Sequence, residues 1–283
     1  MIPSPHYFLT AMETVIRPKN NLWDFDWKEV WSFRDLFYFL VWRDLKVKYK
    51  QTVVGAAWAI FQPLTTMVVF TVIFGGFAKI PSDGVPYPIF VYSGLLFWQF
   101  FSASLNNISS AFVGNEGLIT KIYFPRIILP VATVFTCFVD FVVAAVVLVG
   151  MMIYYGFRPS LSALLLLPLL VVMTMVSSLG AGLLLASLNV KYRDVRHVLP
   201  FFLQLLMFAT PVIYSTSIVS AKFRWILGLN PMAGIINTAR VSILGTGNID
   251  WGLNLVSVIA MSVYLVVGYL YFKKVERYFA DVI

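Results

Sequence analysis

Charge is scarce in this chain of 283 residues: Asp, Glu, Lys and Arg together make up 12% of it, about half the roughly 25% of an ordinary soluble domain. With 60% apolar and 17% aromatic residues and a mean hydropathy of +0.83, no water-facing surface could be covered without broad apolar patches. The composition is that of an integral membrane protein. The single cysteine, Cys137, excludes a disulfide framework, and two histidines, His6 and His197, leave no ligand set for a His/Cys zinc cluster. No Gly-Lys dipeptide occurs, which excludes a Walker-type phosphate loop. Gly245-Thr246-Gly247 stands alone in a loop with no strand before it and carries no weight. His-Glu-x-x-His, a nucleophile elbow and a loop of paired carboxylates are likewise missing. We therefore expect no enzyme and no metal, and active transport would have to draw its energy from a partner. The first 50 residues hold several charges and no signal-like apolar core, so no removable signal is expected. The net charge of +8 needs no nucleic acid, since positive loops and anionic lipid headgroups account for it.

What is abundant is apolar run length. A hydrocarbon core about 30 Å thick needs about 20 apolar helical residues. Six stretches approach that length: 53–74, 88–113, 127–155, 161–188, 198–214 and 253–272, the fifth being the shortest. With both termini inside, sixteen Lys and Arg fall in inner segments and five in outer ones, the bias expected of cytoplasmic loops. The stretch 226–244 could pass for a seventh span, but it contains Asn230, Pro231, Asn237 and Arg240 and would invert the sidedness of the C-terminal lysines. A re-entrant or surface hairpin on the outer side fits better, because irregular backbone at that depth must face protein or a water-filled cavity. The fold class is thus an all-α membrane protein of six spans. A cytoplasmic arm (1–52) precedes a transmembrane domain (53–283).

Polar residues inside the spans are the candidates for function. Asp140, in the third span, is the only acid within the six. A lone charge there costs at least roughly 2.5–3.5 kcal/mol, and either a functional acid or one hydrogen-bonded between helices, with Thr133 and Thr136 nearby, would explain it. Trp58, Gln62, Thr65 and Thr66 share one helical face, as do Phe201, Gln204, Phe208 and Pro211. Both faces suit a wet passage for an amphipathic solute, rings meeting sugar C–H faces and amides meeting hydroxyls; ordinary helix packing would also use them. Ser178, Gly182 and Ala186 follow the small-xxx-small spacing of close helix packing or dimer contacts.

The arm mixes Trp23, Trp27, Trp31 and Trp42 with basic residues, a pattern for a helix lying in the inner interface. It could be a simple anchor or a functional element. The short inner loop 114–126 holds an Asn-Glu-Gly turn and a proline stop at Pro125, and reads either as a knob for a partner or as a connecting turn.

Several stretches carry a family resemblance. They are Trp42-Arg43-Asp44-Leu45-Lys46-Val47-Lys48-Tyr49-Lys50 running into Gly55, Trp58 and Pro63; Tyr92-Ser93-Gly94-Leu95 with Trp98-Gln99-Phe100; and Leu118-Ile119-Thr120-Lys121-Ile122-Tyr123-Phe124-Pro125-Arg126. Further on come Asn189-Val190-Lys191-Tyr192-Arg193-Asp194, Thr210-Pro211-Val212-Ile213-Tyr214 and Leu229-Asn230-Pro231-Met232. From about residue 30 onward the chain resembles the membrane subunit of type-two ABC exporters of lipid-linked polysaccharides, of the O-antigen, capsule or teichoic-acid kind. The resemblance implies a homodimer joined to two copies of a separate ATP-binding subunit, which would hold the ATP and magnesium. The substrate would be a polyprenyl-diphosphate-linked glycan, and the location a bacterial plasma (inner) membrane among its lipids. It implies a channel wall of Trp58, Phe61, Gln62, Thr65, Thr66, Phe201, Gln204, Phe208 and Tyr214. It makes Asn115, Glu116, Leu118, Ile119, Lys121, Tyr123 and Arg126, with Arg43, Asp44 and Lys48 of the arm, the surface that couples to the ATPase. Asn230, Pro231 and Arg240 would shape the outer exit. Two other readings stay open: a permease of the same fold for a small amphipathic drug or lipid, and a membrane scaffold of polysaccharide synthesis.

Overall fold

The computed structural model describes residues 26–50, 55–159, 161–245 and 247–276. The leading residues with Trp23, the start of the first span and the C-terminal residues from 277 lie outside the described residues. Every regular element among the described residues is helical. The arm comprises α1 (Trp27–Ser32) and α2 (Arg34–Lys50). Asp26 starts α1, its carboxylate accepting the amides of Lys28 and Glu29 at 3.1 Å each and so satisfying two donors that the first turn cannot.

Five helices are long and apolar enough to cross a membrane. The first, α3 (Trp58–Phe70), continues as a π-helical segment, Thr71–Phe77, around Gly75 and Gly76. A Cβ on Gly75 would come within 2.8 Å of the Tyr87 ring, so glycine lets this segment close against the next helix. That helix, α4 (Tyr87–Ser110), has Pro88 in its first turn, where a missing N–H costs nothing. It is the hub of the bundle, with Tyr92, Leu95, Phe97 and Ile108 fully buried. The Tyr92 hydroxyl donates to the Ala144 carbonyl at 2.9 Å, and Phe97 and Phe100 both pack on Phe141, at 5.3 and 5.1 Å between centroids. These contacts join α4 to α6 (Ile128–Tyr155), which ends at Gly156 in the left-handed region, φ +75°. The short α5 (Glu116–Ile119) lies between them in the inner loop.

Next is α7 (Leu161–Lys191), and its small residues have a partner within the protomer. A Cβ on Gly182 would meet Ile108 of α4 at 2.7 Å, so the small-residue spacing serves intramolecular packing. The last long helix, α11 (Trp251–Glu276), approaches α7 even more closely: a Cβ on Gly268 would stand 2.0 Å from the Gly180 carbonyl oxygen. No residue but glycine fits there.

The fifth expected span differs from its sequence reading. Helix α8 (Val195–Ala209) has 15 residues, about 22 Å at 1.5 Å per residue, and stops five residues before the expected Tyr214. The cause is Pro211: it biases the preceding residue away from helical backbone, and Thr210 is extended at φ −86°, ψ 145°. The stretch 226–244 is broken into α9 (Arg224–Leu227) and α10 (Pro231–Leu244). Asn230 caps α10, its side-chain oxygen accepting the Met232 amide at 3.1 Å, and its amide nitrogen donates to Thr210 Oγ1 at 2.7 Å. At 14 residues, about 21 Å, α10 is as short as α8. It is almost wholly buried against α4, α7 and α11.

Candidate functional site

Two faces of the protomer carry aromatic and amide groups outward. On α3, Trp58 and Phe61 stack at 5.7 Å between centroids and are 56% and 57% exposed. Gln62 and Thr65 beside them are exposed, and Thr66 is half-buried. Pro63, between them, is buried and turns the opposite side of this helix inward. Both threonine hydroxyls are turned to their own helix, donating to the Phe61 and Gln62 carbonyls at 2.8 and 2.9 Å. They can therefore accept from a solute but have no free proton for it, so the Gln62 amide and the Trp58 indole N–H are the donors of this face.

On α8, Phe201 is 64% exposed, and Gln204 and Phe208 are exposed along the same side. Tyr214 does not join them. It is half-buried, and its hydroxyl donates to the Ala209 carbonyl at 2.8 Å, closing the end of α8. Pro211 is buried as well. The two helices approach each other on the inward side of α3, where the buried Phe70 meets Phe208 at 6.5 Å between centroids, with α4 behind both. Each opens to the outside of the protomer, so a closed passage needs a second surface. The exposed sides of α6 and α11 are different in kind: Val142, Val146, Val149 and Ile153 on one, Leu255, Ile259, Val263 and Val266 on the other. Those aliphatic faces suit acyl chains.

The inner loop presents a small convex surface. Ile119 and Phe124 are buried anchors, while Glu116, Lys121 and Tyr123 are exposed and Leu118 is half-buried. Ile119 thus holds the loop in place rather than offering itself to a partner. The arm is tied to this loop. Arg43 Nη2 donates to Asn115 Oδ1 at 2.9 Å, Asn115 Nδ2 donates to the Ala111 carbonyl at 2.8 Å, and Arg43 also pairs with Asp44 at 2.8 Å. The Tyr123 hydroxyl donates to Glu29 Oε1 at 3.0 Å, and Arg126 reaches the Glu276 carbonyl at the end of α11. Lys48 faces elsewhere: it and Tyr49 bind the carboxylate of Asp140 on α6. Burial, with the hydrogen bond to Asp140 behind it, raises the Tyr49 hydroxyl well above its usual range.

The outer hairpin is not an opening in the protomer. Arg240 is 6% exposed, its guanidinium over the Phe90 ring at 3.8 Å. It donates to the carbonyls of Phe90 (3.1 Å), Pro211 (2.5 Å), Tyr214 (3.2 Å) and Val212. A Cβ on Gly94 would lie 2.5 Å from its Nη2, so Gly94 makes the seat. Arg240 pins the bend after α8, and Pro231 is buried beside it, with Asn230 half-buried. The exposed part of the hairpin is Trp225, Ile226 and Leu229.

The family model for ABC-2 type transporters matches residues 35–244. The chain belongs to the ABC-2 transporter membrane family. It is a multi-pass membrane protein and a transport permease subunit, not an enzyme, and membership implies an ABC-type ATP-binding partner. The O-antigen export system permease protein RfbA of Klebsiella pneumoniae is 28% identical over 249 residues, 88% of this chain and 95% of the relative. RfbA of Myxococcus xanthus is 31% identical over 214 residues, 75% of this chain and 81% of the relative. The polysialic acid transport protein KpsM of Escherichia coli is 24% identical over 221 residues, 75% of this chain and 82% of the relative.

In this ABC-2 permease the structure brings together three groups of the expected site residues: the α3 face, the α8 face, and the loop with Arg43 and Asp44. It places Lys48, Tyr214, Pro231 and Arg240 away from these three groups. Two clusters were not anticipated. Glu29 carries no local signal, because Tyr123, which donates to it, is far away in sequence. Asp83, at φ +54° in the α3–α4 turn, accepts from Ser215 and, at 2.8 Å, from Ser217, tying that turn to the segment after α8. A lone acid in an outer turn between apolar spans was the available signal.

Proposed function

We propose that this permease forms the membrane path through which an ATP-driven exporter moves a polyprenyl-diphosphate-linked polysaccharide out of the cytoplasm. A glycan cannot cross hydrocarbon unaided, because each unpaired hydroxyl there costs several kcal/mol. A path faced with rings and amides removes most of that cost while holding no single sugar tightly. The observation that carries the reading is the pair of outward aromatic-amide faces on α3 and α8, on a chain whose relatives named above are O-antigen and polysialic acid transporters.

Two protomers would set these faces against each other and enclose the path. Two copies of the ATP-binding subunit, carrying ATP and magnesium, would act on the convex loop around Glu116 and Lys121. Six crossings, with α8 and the bend after it as the fifth, would put both termini on one side, and the excess of Lys and Arg in the segments on that side supports its being the cytoplasm. The membrane is then the bacterial plasma membrane.

Deleting the gene and measuring the host polymer on intact cells and in lysates tests the proposal. Polymer lost from the surface and accumulating inside is the expected result. Normal surface polymer with altered drug sensitivity would move the substrate to a small amphipathic molecule, and loss of polymer in both places would indicate a part in synthesis.

A further inference from the structure

The carboxylate of Asp140 receives two donors from consecutive residues of the arm. Lys48 Nζ binds Oδ2 and the Tyr49 hydroxyl binds Oδ1. Apart from Glu276 at the last position of α11, Asp140 is the only acid in the five long helices, and its side chain is 19% exposed. An acid there is costly unless paired, yet its own bundle does not pair it. Thr133 and Thr136 instead donate to the Leu129 and Ala132 carbonyls of α6, at 2.9 and 3.1 Å, and Cys137 on the same helix takes the Asn107 amide at 3.3 Å. Among the described residues the charge is therefore met by the arm alone.

A second contact fixes the direction of docking. Phe37 of α2 meets Phe135 of α6 edge to face at 5.2 Å between centroids. From that contact to the Asp140 pair the chain advances eleven residues along α2 but five along α6, about 16 Å against about 8 Å. Both contacts hold the arm helix to α6, and Leu40, between them in sequence, is buried in the core. The arm's other side holds the inner loop through Arg43 and Asn115, and α3 begins within ten residues of Tyr49.

We propose that Asp140 is a positioning residue of the transport cycle: through Lys48 and Tyr49 it clamps the arm to α6, so that a push on the inner loop moves the arm, α6 and the base of α3 as one body. The clamp rests on the coupling role of the loop given above. It differs from an inert buried pair in joining the ATPase-facing element to a membrane helix.

The test uses the permease with its ATP-binding subunit, in membranes. Cysteines at Phe37 and Phe135 on a Cys137→Ser background report the docked arm by disulfide formation. Asp140→Asn should lower that cross-link on the order of threefold to tenfold, the scale of losing one half-buried ion pair. Polymer exported per ATP hydrolysed should fall by a similar factor, while the two subunits still co-purify. The exchange Lys48→Asp with Asp140→Lys should restore both readouts. Tyr49→Phe, a milder change on the arm, should give a smaller shift of the same sign and serves if Asp140→Asn does not accumulate. An unchanged cross-link in either variant would overturn the clamp, and so would a weakened cross-link with unaltered export per ATP. If the wild type exports no glycan, the proposed substrate fails and the cross-link alone decides the clamp.

Discussion

At the scale of single residues, the tightest constraints fall on glycines and on one arginine. Gly268 lies so near the Gly180 carbonyl that a methyl group must drive α7 and α11 apart. Overpacking of this kind costs about 1–3 kcal/mol, so Gly268→Ala should lower the detergent melting temperature by several degrees. Gly114→Ala, where a Cβ meets nothing within 4 Å, should leave it unchanged. Arg240 is a second case. Its donors all serve main-chain carbonyls, and leaving buried carbonyls without partners costs about 1–3 kcal/mol. Arg240→Lys cannot reproduce a planar fork with five donors, so it should destabilise the protein almost as much as Arg240→Gln. Gly94→Ala should do the same by filling the seat. Melting curves of the three variants in one detergent check this; an Arg240→Lys protein as stable as the wild type would show that the carbonyl bonds contribute little.

At the scale of elements, the helix ends show what local sequence can and cannot reveal. Asp26, Pro88 and Gly156 sit where capping chemistry places them and could be read directly. The early stop of α8 was also legible, because Thr210-Pro211 biases the backbone away from helix; hydropathy alone carried the expected span on to Tyr214. What local pattern could not reveal is pairing across distance. The carboxylate of Asp140 looked like a problem for its own helix, and its solution lies about ninety residues upstream. The resemblance put Arg240 at the outer exit, and nothing in the sequence pattern showed that its guanidinium is buried. The inner loop separates into anchors and contacts in the same way. Ile119 and Phe124 hold it, and Glu116 and Lys121 project from it. Glu116→Lys with Lys121→Glu should cut co-purification of the ATP-binding subunit severalfold without shifting the melting temperature. Ile119→Asp should lower both, since it buries an unpaired carboxylate.

At the scale of the whole molecule, the protomer sorts its uncovered surface by chemistry. α4 and α10 are enclosed, α6 and α11 turn mainly aliphatic side chains outward, and α3 and α8 mix rings and amides with their outward aliphatic side chains. A lipid-facing helix gains nothing from Gln62 or Gln204, whose amides would lack partners in hydrocarbon. Facing a second protomer across a hydrated gap, as proposed above, they would have partners in water and in a glycan. Trp58→Ala with Phe61→Ala, and separately Phe201→Ala, should reduce surface polymer severalfold at unchanged assembly with the ATP-binding subunit, whereas Val146→Ala should have no effect. Export and co-purification measured on the same cells separate loss of the path from loss of the complex. The most direct measurement is a photo-cross-linking residue placed at Phe201 or at Val146 in cells actively exporting. Glycan attached at Phe201 and absent at Val146 is the expected result; glycan at neither position, or at Val146 alone, would contradict a path along α3 and α8.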